Sequence, residues 1–221
     1  MKKIFSLILF ATLLIGCSSV NSTETVVNTG KEASETEGSR LIESEKSESM
    51  DPLLVSNGPL LEVGQYKNDD YYGKIILEKI ADQGNQIEVA DGFFVTVNDV
   101  KILKFEGIPK SSQQDANIYY GFQGNQGYDL QVTYSIENKN DFEISNTIID
   151  KIILSDGEQI SKDAYTDEEE FYLEATSKAS NQITHISIPH AEVDSVKFYF
   201  EPVNTDSYAP LESQPLDVMF N

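Results

Sequence analysis

A chain of 221 residues with 37 Asp+Glu against 16 Lys+Arg carries a formal charge of −21 at pH 7. So acidic a surface repels phosphates and anionic headgroups, which argues against nucleic-acid binding and against electrostatic adhesion to a membrane. With one cysteine and no tryptophan there is no intrachain disulfide, and any folded part must be large enough to be stable through its core alone.

The chain begins with Lys2 and Lys3, then an apolar run over 4–15 broken only by Ser6 and Thr12. A positive start, a short apolar core and a small residue at its end form the layout of a secretory signal. The run is too short for the roughly 20 residues of a spanning helix. Leu14, Ile15 and Gly16 lead directly into Cys17, the single cysteine. This stretch resembles the lipobox of bacterial lipoproteins. The resemblance implies a signal peptide over 1–16, cleavage after Gly16 and diacylglycerol on the Cys17 thiol. The mature chain would then sit on the outer face of the cell membrane, lipid-anchored. Two acyl chains hold stably where one does so marginally, at about 0.8 kcal/mol per buried methylene.

From 17 to 56 the chain is polar and of low complexity, with Ser18-Ser19 early and alternating Glu and Ser over 43–49. Few apolar side chains occur there to offset the entropy of ordering. The expectation is a lipidated cysteine on a flexible stalk, reaching roughly 35 Å as a coil. The remaining ectodomain, 57–221, falls in the size range where a single core buries about 70% of the unfolded surface.

Strand periodicity dominates that ectodomain. Residues 72–80 read as a strand, although Ile75-Ile76-Leu77 fits a helix as well. Phe93, Val95 and Val97 alternate with polar residues, the phase slips at Asn98-Asp99, and the pattern resumes over 100–105, which predicts a strand with a bulge. Over 128–137, Leu130, Val132, Tyr134 and Ile136 share one face, with Asp129, Gln131, Thr133, Ser135 and Glu137 on a wet face. Asp156-Gly157 between apolar runs predicts a hairpin. Thr166 with Glu169 fits a capping box and predicts one short helix. Residues 182–188, 195–201 and the alternating Leu216, Val218 and Phe220 complete the strands. The expected fold is all-β, an antiparallel immunoglobulin-like β-sandwich.

The succession of Val89 to Lys101, then 128–138 ending in asparagine, then Ile183 to Pro189 and Val196 to Phe200 resembles the telokin-like, immunoglobulin-related ectodomain of Gram-positive lipoproteins. The resemblance covers 85–201. It departs from that pattern before the penultimate strand, where 175–179 replaces a glycine following a proline, and it lacks the tryptophan and cysteine pair of antibody-type domains. The family implies a fold and no particular activity.

The chemistry-bearing residues are sparse. His185 and His190 are the only histidines, too few for a zinc site without cysteine partners. His185 lies out of phase with Thr184, Ile186 and Ile188 and is expected to face solvent. No serine sits in a Gly-x-Ser-x-Gly elbow, so a surface enzyme is disfavoured. The acidic cluster Asp163, Asp167, Glu168, Glu169, Glu170 and Glu174 lacks the register of an EF-hand loop and reads as a solvated face. No metal or cofactor is implied. The stretch 107–127 reads as the longest irregular segment, and its Tyr119, Tyr120 and Phe122 are the candidate ligand contacts, because exposed aromatics on a loop suit recognition. The sequence therefore points to a non-enzymatic binding or accessory domain at the cell surface, meeting another surface protein or a wall component. Two alternatives remain. One is an extracellular solute-binding lipoprotein, against which the lack of βαβ alternation counts. The other is a signal peptide serving as precursor of a pheromone, since 9–16 resembles the short apolar peptides some Gram-positive cocci release.

Overall fold

The computed structural model describes residues 51–82, 84–165 and 171–220. The expected signal peptide, Cys17, the expected stalk up to residue 50, and the helix expected from Thr166 lie outside the described residues. In chain order the strands are β1 (Tyr66–Asp69), β2 (Gly73–Asp82), β3 (Gln86–Ala90), β4 (Phe93–Glu106), β5 (Gln126–Asn138), β6 (Ile144–Ser145) and β7 (Ile149–Leu154). They continue with β8 (Gln159–Ser161), β9 (Lys178–Ile188), β10 (Ser195–Phe200), β11 (Val203–Asn204), β12 (Ala209–Pro210) and β13 (Leu216–Met219). One α-helix, α1 (Gln113–Tyr120), and a 3-10 turn at Lys162–Ala164 are the helical elements among the described residues.

The large sheet runs β1-β2-β4-β5-β9, with β3 extending the β2 position along the first half of β4. A second sheet runs β13-β10-β7-β8, and a small one β12-β11-β6. Every strand pair within these sheets is antiparallel. The all-β sandwich read from the sequence is the observed architecture. No helix among the described residues is long and apolar enough to cross a membrane.

The bulge decides which side chains face which layer. Val97 pairs with Tyr134 and Asp99 with Thr133, so Asn98 is the extra residue and the phase of β4 inverts there. Before it Phe93, Val95 and Val97 face the second sheet; after it Val100 and Ile102 do. They meet Leu130, Val132, Tyr134 and Ile136 of β5, Ile152 and Leu154 of β7, and Val196, Phe198 and Phe200 of β10. Each such side chain, fully buried, contributes about 1.5–3 kcal/mol. The inverted phase sends Leu103 and Phe105 to the opposite, outer face. There, with Ile75 and Leu77 of β2, they build a second core with Leu60, Ile108, Ala116 and Phe122.

That second core corrects two expectations. The stretch 107–127 is not irregular, because it holds α1, which ends at Gly121 in the left-handed conformation (φ 69°). Phe122, expected to contact a ligand, is only 3% exposed. Its ring occupies the space a side chain at Gly127 would need, opposite Phe105 in the β4–β5 pairing. The pairing also reaches back before residue 57. Val55 N donates to Tyr66 O (2.8 Å), Tyr66 N donates to Leu53 O (2.9 Å), and the Val55 side chain packs on the second core.

Candidate functional site

The outer face of β5 was expected to be wet along its length. Asp129 instead has no exposed surface. It lies beside Leu103 in the β4 register and Ser187 in the β9 register, at the end of the face where the second core and α1 exclude water. Two positions along β9 from Ser187, His185 projects from the same face. Its Nδ1 lies 2.7 Å from Asp129 Oδ2. The imidazole is therefore half-buried, with 36% of the side chain exposed, rather than free in solvent.

Charge in this corner is held by geometry. Burial pushes the Asp129 carboxyl above the usual carboxylate range, opposed by the hydrogen bond from His185. Burial works to lower His185, but the hydrogen bond and negative charge of Asp129 outweigh it, and the net shift is upward. The pair thus holds its proton more firmly than separate residues would. Tyr120 packs edge-on against His185, with centroids 5.6 Å apart, and stacks on Phe122 at 5.2 Å. Its hydroxyl is pushed up to about 12, first by burial and then by the charge of Asp129. Asp129 Oδ1 is buried with no hydrogen-bond partner among the described residues, an arrangement that lowers stability.

His185 forms the floor of an open cleft of about 340 Å³ between the end of α1, the 3-10 turn and β9. A second cleft of about 220 Å³, lined by Ile148, Ile149, Ile183 and Thr184, adjoins it. Tyr119, Tyr165 and His185 line both. The two tyrosines differ. Tyr119 is 69% exposed, whereas Tyr165 is packed against the main core and donates its hydroxyl to Ile149 O at 2.6 Å. One wall is consequently adaptable and the other fixed.

Of the three candidate contacts, Tyr119 is on the cleft surface, Tyr120 shows it one side of a half-buried ring, and Phe122 is core. Leu14, Ile15, Gly16 and Cys17 lie outside the described residues. In the acidic cluster Asp163 lines the cleft, Glu174 is exposed, and residues 167–170 lie outside the described residues. His190 is elsewhere, in the connection from β9 to β10, where its Nε2 meets Asp156 Oδ2 at 2.9 Å. Asp156, Glu158 and His190 bring ligand-type atoms within 4.8 Å of one another. Asp156 Oδ1 already accepts from Glu158 N at 3.0 Å, so this group is accounted for as a tied β7–β8 turn.

Sequence reasoning missed Asp129, His185 and Tyr165. No local signal joins Asp129 to His185, because they meet only through the β5–β9 register. A signal for α1 was present: Ser112 three residues before Asp115, and Gly121 just past the helix end. Chemically, Asp129 fixes the ring of His185 and leaves Nε2 for a ligand. Among the described residues no hydroxyl is hydrogen-bonded to that nitrogen. Comparison with protein-family profiles and with curated protein sequences returns no match.

Proposed function

We propose that this protein is a lipid-anchored surface module that recognises a partner through the cleft formed by Tyr119, Tyr165 and His185. Cys17 after Leu14, Ile15 and Gly16 supports the anchor, and the acidic, polar stretch 18–50 supports a spacer that carries the domain away from the membrane. The bulged β4, the β5 strand closed by Asn138, and β9 followed by Pro189 support an immunoglobulin-related, telokin-like reading of the sandwich.

The observation that carries the recognition reading is the exposed Tyr119 ring set opposite a pinned Tyr165 over a His185 held by a buried carboxylate. A buried charge pair adds little to stability compared with apolar residues of similar volume. Its neighbours Leu77, Leu103 and Phe105 show that apolar residues fill this face elsewhere. The pair is best explained by the ring it positions.

Two comparisons test the proposal. Cys17→Ala is expected to release the protein to the medium or leave an unprocessed precursor; a variant still membrane-bound at mature mass contradicts the anchor. Chemical crosslinking on intact cells should recover surface partners with the wild type and lose them with Tyr119→Ala, at an unchanged melting temperature. Equal recovery by both proteins contradicts the cleft.

A further inference from the structure

The polar groups of the cleft are fixed, and their types narrow the ligand. The Asn117 amide donates through Nδ2 to Phe122 O at 3.0 Å, which orients its Oδ1 as an acceptor. Ser187 lies beneath Gly121, whose missing side chain leaves the Ser187 hydroxyl uncovered; a Cβ there would stand 3.6 Å from Oγ. His185 offers Nε2 once Nδ1 is engaged by Asp129. These three groups, an acceptor, a hydroxyl able to act either way and an imidazole nitrogen, line one cleft beside an exposed aromatic ring.

Charge excludes two ligand classes. Asp129 and His185 compensate each other, so Asp163 is the one uncompensated charge among the described residues of the larger cleft. A phosphate polymer or anionic lipid would meet that carboxylate and a chain of −21 overall. A basic peptide would find a single carboxylate in the cleft and many equivalent ones across the surface, which gives no preference for this place. An apolar ligand would strip water from Asn117, Ser187 and His185 without replacing its hydrogen bonds, a loss for each group. A ligand dense in hydroxyls that both donate and accept, and carrying one apolar ring face, satisfies every group at once.

We propose that the cleft binds an uncharged saccharide, with a ring face against Tyr119 and hydroxyls on Asn117, Ser187 and His185. This rests on the reading of the cleft as the recognition site and names its ligand class. The fixed polar floor sets sugar orientation, and the exposed Tyr119 ring packs on the sugar's ring face. Tyr165 supplies the rigid end stop.

The test uses the full chain, solubilised in a detergent without a sugar headgroup. The probes are neutral glucose and N-acetylglucosamine oligomers, a glycerol-phosphate polymer and an oligolysine peptide, titrated by calorimetry. Saturable binding of a neutral oligomer is expected, weakened about tenfold or more by Tyr119→Ala and by Ser187→Ala, with melting temperatures unchanged. No saturable binding of either neutral oligomer up to millimolar concentration overturns the saccharide assignment. If the polyanion or the peptide binds instead and Tyr119→Ala abolishes it, the saccharide assignment fails while the cleft stands. If a probe binds and neither substitution matters, the cleft itself is wrong.

Discussion

Asp129 and His185 stand diagonally across the β5–β9 pair and share a 2.7 Å hydrogen bond between a fully buried carboxylate and a half-buried imidazole. The two partners are unequally exposed, so their removal has unequal consequences. His185→Ala strands a carboxylate that has no other side-chain partner, and it is expected to cost about 3–5 kcal/mol near neutral pH. Asp129→Leu combined with His185→Phe removes both polar groups together and should be close to neutral or stabilising. Urea unfolding checks both; a His185→Ala variant as stable as the wild type would show that Asp129 is not held by this ring.

The pair also sets a pH dependence. Both folded-state shifts are upward, His185 from 6.5 and Asp129 from 3.8, so the folded protein binds protons more tightly than the unfolded chain. The contribution of His185 is complete below 6.5 and is lost as pH rises through its raised folded value. Asp129 acts in the same direction, favouring the folded state most at low pH. Relative to the Asp129→Leu, His185→Phe double variant, the wild type should therefore lose stability as pH rises, from 3.8 upward through Asp129 and from 6.5 upward through His185. A difference that stays flat or grows with pH contradicts the shared proton.

Asn138 closes β5 and is 1% exposed. Its Nδ2 donates to Phe142 O (2.8 Å), Leu173 O (3.2 Å) and Glu174 O (3.1 Å), and its Oδ1 accepts from Asn140 N (2.9 Å). One side chain thus ties the turn after β5 to the chain entering β9. Asn138→Ala takes the side-chain donor from Phe142 O, while Leu173 O keeps Ile144 N and Glu174 O keeps the Ser177 hydroxyl, and the lost ties should cost about 1–3 kcal/mol. Hydrogen exchange should accelerate first at Asn140 and Ile144; protection unchanged there would show that the turn holds without the amide.

The strands were legible because a two-residue period marks a face directly. Phe93, Val95 and Val97, the slip at Asn98, and Leu130 through Ile136 all fall where the alternation places them. The same logic misled at Asp129 and His185. Alternation tells which face a side chain joins, and it does not tell that a helix from elsewhere in the chain will cover that face. The shorter strands β6, β11 and β12, two residues each, have too few positions to show a period. Tyr119, Tyr120 and Phe122 were singled out together by type, yet adjacent positions on α1 and its exit point in different directions.

That division gives a stability contrast. Tyr119→Ala removes an exposed ring and should change stability by less than about 0.5 kcal/mol. Phe122→Ala empties the second core beneath α1 and should cost about 3–5 kcal/mol. Thermal melts of the two variants read this directly, and a larger loss for Tyr119 would place it in the core and remove it from the cleft.

The central claim is that the Tyr119 cleft meets a partner on the living cell surface. Its most direct test replaces Ile118, also exposed at the mouth of the cleft, with a photo-crosslinking amino acid, and Lys197, exposed on the second sheet, in a parallel strain. Irradiation of intact cells should give one dominant adduct from position 118, lost when Tyr119→Ala is added, and none of it from position 197. The same adduct from both positions, or one indifferent to Tyr119→Ala, would contradict the account.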